Sequence, residues 1–158
     1  MRVWVDASTL IALDTIGELA FLRDLMGRVA ITAAIAEEVF SGRESQALQE
    51  ARGSWIEVVP VRGDLSRWTD LGLGRGEASL FETPKGDRLV LGELPARTVA
   101  EAEGRDYVGL LGLLLAATAR GAITPTRGEE IVRKLARSPF RMSTDLYDEV
   151  LRQLGGGS

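Results

Sequence analysis

Short apolar runs alternate along the chain with longer segments whose apolar positions recur at helical spacing. Because strands and helices alternate throughout, the pattern predicts an α/β fold with a largely parallel sheet. We find no internal repeat and no linker, so we expect one domain over residues 1–154, followed by a flexible Gly/Ser tail at 155–158. The predicted strands are 3–5, 29–31, 55–60, 88–91 and 106–108.

The first predicted strand delivers an aspartate, Asp6, at its end. Ser8 and Thr9 follow as predicted N-caps of a helix. In open α/β sheets, ligands bind outside the carboxyl ends of the strands, so Asp6 is the first candidate site residue. The alternative is an aspartate that only favours the helix N-terminus through the helix dipole.

Two glutamates are further candidates. Thr32 is the predicted cap of a helix in which Glu38 lies next to the apolar face, and Glu77 follows a glycine-rich turn. A solvated side chain is the alternative for Glu38, and dipole compensation is the alternative for Glu77. The glycines at 72–76 fit neither a P-loop nor a dinucleotide pattern. We expect them to form a tight turn that lets Glu77 approach other backbone.

Helix boundaries in the remaining segments are predicted from breakers and caps. Tyr107 to Ala119 is a long apolar run that indicates a buried helix, too short and too glycine-interrupted to span a bilayer. Residues 44–51 are helix-prone, and 61–73 give only a weak helical pattern. A further helix is expected to start at Thr126 or Gly128, and the last one to be capped by Ser143.

The composition restricts the chemistry. The chain contains no His and no Cys, which excludes thiol or histidine catalysis and zinc clusters. An enzyme built from this sequence must use carboxylates, and oxygen ligands suit Mg²⁺ or Mn²⁺. The net charge of −4 counts slightly against a large non-specific duplex footprint. No signal peptide precedes the first strand, so we expect a cytoplasmic protein without a membrane anchor.

Five segments together resemble the PIN-domain family, and within it the VapC-like ribonuclease toxins. Each segment is degenerate alone, but their order and spacing are fairly specific. They span nearly the whole chain. The segments are 5–13, 29–39, 73–79, 89–97 and 109–117.

The resemblance implies a three-layer α/β/α sandwich and a metal-dependent endoribonuclease that cuts single-stranded or structured RNA. Asp6, Glu38 and Glu77 match the first three family acids and would hold Mg²⁺ or Mn²⁺. Ser8 matches the small hydroxyl residue that orders the site. The ion would activate water for in-line attack on phosphorus and stabilise charge on the phosphoryl oxygens.

The chain departs from this family pattern at one acid. An Asp-Asp or Asp-Glu pair normally follows the fourth strand, and here Gly92-Glu93 stands there. Glu93 is therefore a weaker fourth catalytic candidate, displaced by one residue. The family also tends to have threonine at the position of Leu110. A second hypothesis follows, in which a degenerate PIN domain binds a protein or RNA without cutting it.

The resemblance also implies partners. A cognate antitoxin would lay a helix or an extended segment across the groove and block the metal site. Homodimerisation is expected from the family alone. We expect Arg97 to contact phosphate or the antitoxin, with a surface salt bridge as the alternative.

Overall fold

The computed structural model describes residues 1–42 and 45–155, which contain five strands and ten helices. The strands are β1 (Val3–Val5), β2 (Val29–Thr32), β3 (Ile56–Val59), β4 (Arg88–Val90) and β5 (Tyr107–Val108). The helices are α1 (Ala7–Thr15), α2 (Leu19–Met26), α3 (Ala33–Val39), α4 (Gln46–Ala51), α5 (Ser66–Thr69), α6 (Arg75–Leu80), α7 (Leu94–Ala102), α8 (Leu110–Ala119), α9 (Pro125–Ala136) and α10 (Thr144–Leu154).

The five strands form one parallel sheet in the order β3-β2-β1-β4-β5. The chain builds the sheet outward from β1 to β3, then returns to place β4 on the other side of β1. β2 is buried along its whole length, as are Trp4, Val5, Leu89 and Val90 in the neighbouring strands. Burial of this kind requires helices on both faces of the sheet, which confirms the three-layer α/β/α sandwich. The change of direction beside β1 creates a switch point at the carboxyl edge.

The predicted strands are all present, and no strand end differs from its prediction by more than one residue. Two predicted helix starts are wrong. Asp6, rather than Ser8 or Thr9, caps α1, because its side chain accepts a hydrogen bond from the Thr9 N–H. α9 starts at Pro125 with Thr124 as its cap, because proline at the first helical position loses no hydrogen bond.

Several further segments differ from expectation or lie outside the description. The apolar run at 107–119 gives β5 and then α8, which buries only one face. The weak helical pattern at 61–73 becomes the single turn of α5. The predicted helix at 44–51 begins at Gln46, and Glu44 lies outside the described residues. The tail residues 156–158 also lie outside them, and Gly155 caps α10.

An ion pair with a buried carboxylate ties α9 to the start of α2. Glu18 is 4% exposed and receives two bonds from the Arg127 guanidinium, at 2.5 and 2.6 Å. The ammonium of Lys134 lies 3.6 Å from the same carboxylate. These contacts join α9 to the start of α2. Within the described residues, no helix has the length and apolar character needed to cross a membrane.

Candidate active site

The carboxylate of Asp6 lies at the switch point and is 2% exposed as a residue. One oxygen, Oδ1, accepts from the Thr9 N–H at 2.9 Å. The other, Oδ2, accepts from the Ser8 hydroxyl at 3.0 Å and from the Gly92 N–H at 2.6 Å. The Asp6 N–H in turn donates to the Val90 carbonyl at 3.1 Å. Asp6 therefore joins the ends of β1 and β4 to the first turn of α1.

The Ser8 hydroxyl occupies the space that a side chain at position 92 would need. A Cβ built at position 92 would overlap the Ser8 hydroxyl, whereas its distances to Ser8 Cβ and Thr9 Oγ1 are each 3.4 Å. The absence of a side chain at Gly92 thus leaves room for the hydroxyl that orients Asp6. Ser8 has the orienting contact expected of it, and its hydroxyl occupies part of the volume that a fourth acid would enter.

Glu38 approaches the site from the last turn of α3. Its neighbour Glu37 points away and pairs with Arg75 at 2.6 Å on the exposed surface. A Cβ at Gly76 would overlap Glu38 Oε1, so this glycine lets the carboxylate lie directly against α6. Glu77 does approach other backbone in the glycine-rich turn, at the Gly74 N–H, as expected. The contact of Gly76 with Glu38 is additional and was not predicted.

A hydroxyl pair sets the spacing between α3 and α6. Thr32 Oγ1 lies 2.7 Å from Ser79 Oγ, and both residues are buried. Ser79 also donates to the Gly76 carbonyl at 2.6 Å, and Thr32 caps α3 by accepting from the Ile35 N–H. These contacts hold Gly76 against Glu38. The sequence predicts Thr32 only as a cap, and no local pattern assigns a role to Ser79.

Glu77 lies on the first turn of α6 and has one satisfied oxygen. Its Oε1 accepts from the Gly74 N–H at 3.4 Å, which is the capping-box contact. Its Oε2 is buried and has no hydrogen-bond partner in the described residues. A buried carboxylate oxygen without a donor is costly, so this atom suits a cation ligand.

One pocket brings the four candidate acids together. It has a volume of about 300 Å³ and is lined by Asp6, Glu38, Glu77 and Glu93, with Ser8 at its edge. Glu93 begins α7, and its side chain makes no capping bond. It lines the pocket although it stands one residue beyond the expected position of the acid.

The carboxylates in this pocket carry like charges and repel one another. Burial raises the pKa of Glu38, and the charges of Asp6 and Glu93 raise it further, against a lowering hydrogen bond from the Gly76 N–H. Burial also raises the pKa of Glu77, with Glu93 as its largest repulsive neighbour. Glu38 is exposed as a residue, so its loss of hydration is confined to the carboxylate end against α6. Both glutamates are harder to ionise than in water.

The donor set fits a hard divalent cation. All four side chains offer carboxylate oxygens, and Glu77 Oε2 is without a donor. Among the described residues, no three acids already lie close enough to hold one ion together. Mg²⁺ usually takes only one or two carboxylates and completes its shell with water, so a full cage is not needed.

Two other predicted positions have structural contacts. Arg97 donates from Nε to the Leu91 carbonyl at 3.2 Å and from Nη2 to the Gly92 carbonyl at 3.1 Å. It forms no ion pair with the described residues, which contradicts the alternative of a surface salt bridge. Leu110 starts α8 and is buried in the core.

A family model of PIN domains, DUF3368, matches residues 2–156. The chain belongs to the PIN-domain family. Comparison with curated proteins and with solved structures finds no match to this chain. PIN domains are typically nucleases that use divalent metal ions, and the fold and the acidic pocket agree with that general description. The match does not distinguish a VapC-like member from other PIN domains.

Replacing Gly76 with alanine tests the approach of Glu38. Gly76 is the second residue of α6 and its φ is not positive, so alanine fits the backbone and Gly76→Ala should fold about as stably as the parent. Its methyl group displaces the Glu38 carboxylate, and we expect Mn²⁺ affinity to fall about 10- to 100-fold. Isothermal titration calorimetry measures the affinity, and thermal melting measures the stability.

Gly74→Ala is the matched control. A Cβ at Gly74 meets only Glu77 Oε1, at 4.0 Å, so the pocket keeps its shape. Alanine is a poorer N-cap than glycine, so this variant should lose some stability and keep its Mn²⁺ affinity. Equal Mn²⁺ affinity in both variants would show that Glu38 does not depend on Gly76.

Glu77→Gln tests the charge repulsion in the metal-free protein. Because burial raises the pKa of Glu77 above its ordinary 4.5, the folded chain holds this proton to higher pH than the unfolded chain. The group's contribution to stability is therefore present below pH 4.5 and is lost as the pH rises through the raised pKa. In EDTA, the melting temperature of Glu77→Gln should lie above that of the parent at pH 7.5 and equal it at pH 4.

Glu50→Gln, an exposed control on α4, should have the melting temperature of the parent at both pH values. If Glu77→Gln melts at the same temperature as the parent at pH 7.5, ionised Glu77 does not destabilise the metal-free protein and the account is contradicted.

Proposed function

We propose that the chain is a metal-dependent endoribonuclease that hydrolyses RNA phosphodiester bonds. The observation that carries the proposal is the acidic pocket at the switch point of a PIN fold. Neither histidine nor cysteine is available for another hydrolytic chemistry. When bound, Mg²⁺ or Mn²⁺ supplies charge neutralisation and Lewis-acid polarisation of a phosphoryl oxygen.

The chain's own residues would have distinct roles in this reaction. Asp6, Glu38 and Glu77 would hold the cation. Asp6 is already oriented by Ser8 and by the Gly92 N–H. Glu93 is the fourth catalytic candidate, and its exposure leaves it free to approach a bound phosphate or its metal ion.

A toxin role extends the same proposal. The segments shared with VapC-like toxins support a toxin–antitoxin pair, in which an antitoxin helix or extended segment covers the acidic pocket and blocks it. A homodimer in the cytoplasm is part of this proposal. The exposed apolar side chains of Ile11 and Leu94 flank the pocket region and would suit such a covering segment.

RNA cleavage by the purified chain tests the proposal. A labelled RNA pool with Mg²⁺ or Mn²⁺ should be cut, and EDTA should stop the reaction. Asp6→Asn should lose at least about 100-fold in rate, because the first carboxylate is removed. Asparagine keeps the helix cap but sets its amide against the donating Gly92 N–H, so circular dichroism must confirm folding.

Glu38→Gln is a second variant that keeps all contacts of Asp6, and it should lose activity similarly. Cutting that survives both substitutions would contradict the assigned site. No metal-dependent cutting by the folded parent would contradict the nuclease function.

The alternative function is a degenerate PIN domain that binds a protein or RNA without cutting it. Gly92 in place of the expected acid favours this alternative. Gly92→Asp separates the two, because a side chain there fits once the Ser8 hydroxyl rotates away from Asp6, and Gly92→Asn loses the same Ser8–Asp6 hydrogen bond.

In a weakened nuclease, the added carboxylate should raise Mn²⁺ affinity and cleavage about tenfold. Gly92→Asn, of the same shape but neutral, is the matched control and should give no gain. No gain in Gly92→Asp, together with no metal binding by the parent, would favour the binding role.

A further inference from the structure

A second depression lies directly beside the acidic pocket. Its volume is about 820 Å³, and it shares Ser8, Ile11 and Glu93 with the acidic pocket. Its walls come from α1, from the start of α7 and from the 137–143 connection between α9 and α10. We call this depression the side groove. A polymer whose phosphate reached the acids would continue into it.

The side groove has an apolar floor that the described chain leaves open. Ile11 is 46% exposed and Leu94 is 73% exposed, and both line it. Phe140 also lines it and is half-buried, so part of its surface remains accessible. A local turn fixes this aromatic residue, because its N–H donates to Ser138 Oγ at 3.1 Å. Apolar side chains around a held aromatic ring suit a flat, partly apolar group.

Two guanidinium groups face the same groove without acidic partners. Arg141 is exposed and makes no hydrogen bond or ion pair with the described residues. Arg97 is held by the Leu91 and Gly92 carbonyls, which orient its charge but do not neutralise it. Positive charge next to an apolar floor fits a phosphate joined to a base.

We propose that the side groove binds an unpaired nucleotide of single-stranded RNA, adjacent to the phosphate held at the acidic pocket. The base packs on Phe140 and its apolar neighbours, and the flanking phosphate meets Arg141 and Arg97. Base faces are hidden in a duplex, so paired RNA cannot use this floor. The proposal rests on the proposed nuclease function and assigns the residues that would hold the nucleotide beside the cut.

RNA binding without cleavage tests the groove. The probe is a fluorescein-labelled single-stranded RNA of mixed sequence, about ten nucleotides long. Its binding is measured by anisotropy at low salt with Ca²⁺ in place of Mg²⁺ or Mn²⁺, so that a cation neutralises the acids. The same strand annealed to its complement should bind about tenfold more weakly. Phe140→Ala should also lose about tenfold in affinity for the single strand, the value expected for one stacked base. Phe140→Leu keeps apolar bulk and should fall between Phe140→Ala and the parent.

Arg141→Ala tests the phosphate contact without disturbing the core. We expect affinity to fall several-fold and the slope of log affinity against log salt to decrease by about 0.7, the value for one phosphate contact on a single strand. Arg137→Ala is the matched control, since Arg137 is also exposed near the end of α9 but does not line the groove. It should leave both quantities unchanged.

The outcomes separate the groove from the nuclease. The proposal that the side groove binds a nucleotide would be overturned by any of three results. These are parent-like RNA affinity in Phe140→Ala and Arg141→Ala, equal binding of the duplex, and no RNA binding at all. A protein segment would then be the better occupant of the groove. Cleavage by the parent with parent-like affinity in all variants would retain the nuclease and reject the groove. Groove-dependent binding without any metal-dependent cleavage would retain the groove and reject the nuclease.

Discussion

The hydrogen bonds to the Asp6 carboxylate join the parts on which the site depends. They come from Ser8 and Thr9 in α1 and from Gly92 after β4, so this side chain at the end of β1 connects three segments. The strand order places β1 between β2 and β4, and Asp6 therefore lies at the centre of the carboxyl edge. Oδ2 accepts two of these bonds and Oδ1 only one, so Oδ1 keeps a lone pair for a ligand while the three bonds orient the carboxylate.

Around this fixed acid the fold gathers like charges that repel one another. Glu38 is pressed against Gly76, and Glu77 has an oxygen buried without a donor. Neither arrangement stabilises a metal-free protein, and the raised pKa values of both glutamates express that cost. A cation would relieve the repulsion and give the orphaned oxygen a partner. The repulsion that destabilises the metal-free protein is therefore what a site prepared for a cation would show.

Much of the fold follows from local pattern. The alternation of apolar strands and capped helices predicts every strand of the sheet, and Thr32 and Ser143 cap the helices assigned to them. Asp6 was placed at the end of β1, but its capping role was given to Ser8 and Thr9. All three residue types are good caps, and only the backbone geometry decides between them.

The finer construction of the site depends on contacts that no local pattern contains. The hydroxyl pair of Thr32 and Ser79 spans 47 positions, and the Gly92 N–H meets Asp6 across 86. Gly76 looks like an element of a turn until α3 is packed against it. Likewise Phe140 belongs to a loop after α9, and only tertiary packing brings it beside Ile11 and the acids. The resemblance to PIN domains supplied the identity of the acids, whereas packing determines their surroundings.

The most direct test of the central claim is the stoichiometry of Mn²⁺ binding at neutral pH, followed by electron paramagnetic resonance. If the acids form a cation site, the parent should bind Mn²⁺ at the acidic pocket, and Glu38→Gln and Glu77→Gln should each weaken that binding while remaining folded. Parent-like Mn²⁺ binding in both variants, or no binding by the folded parent, would contradict the account.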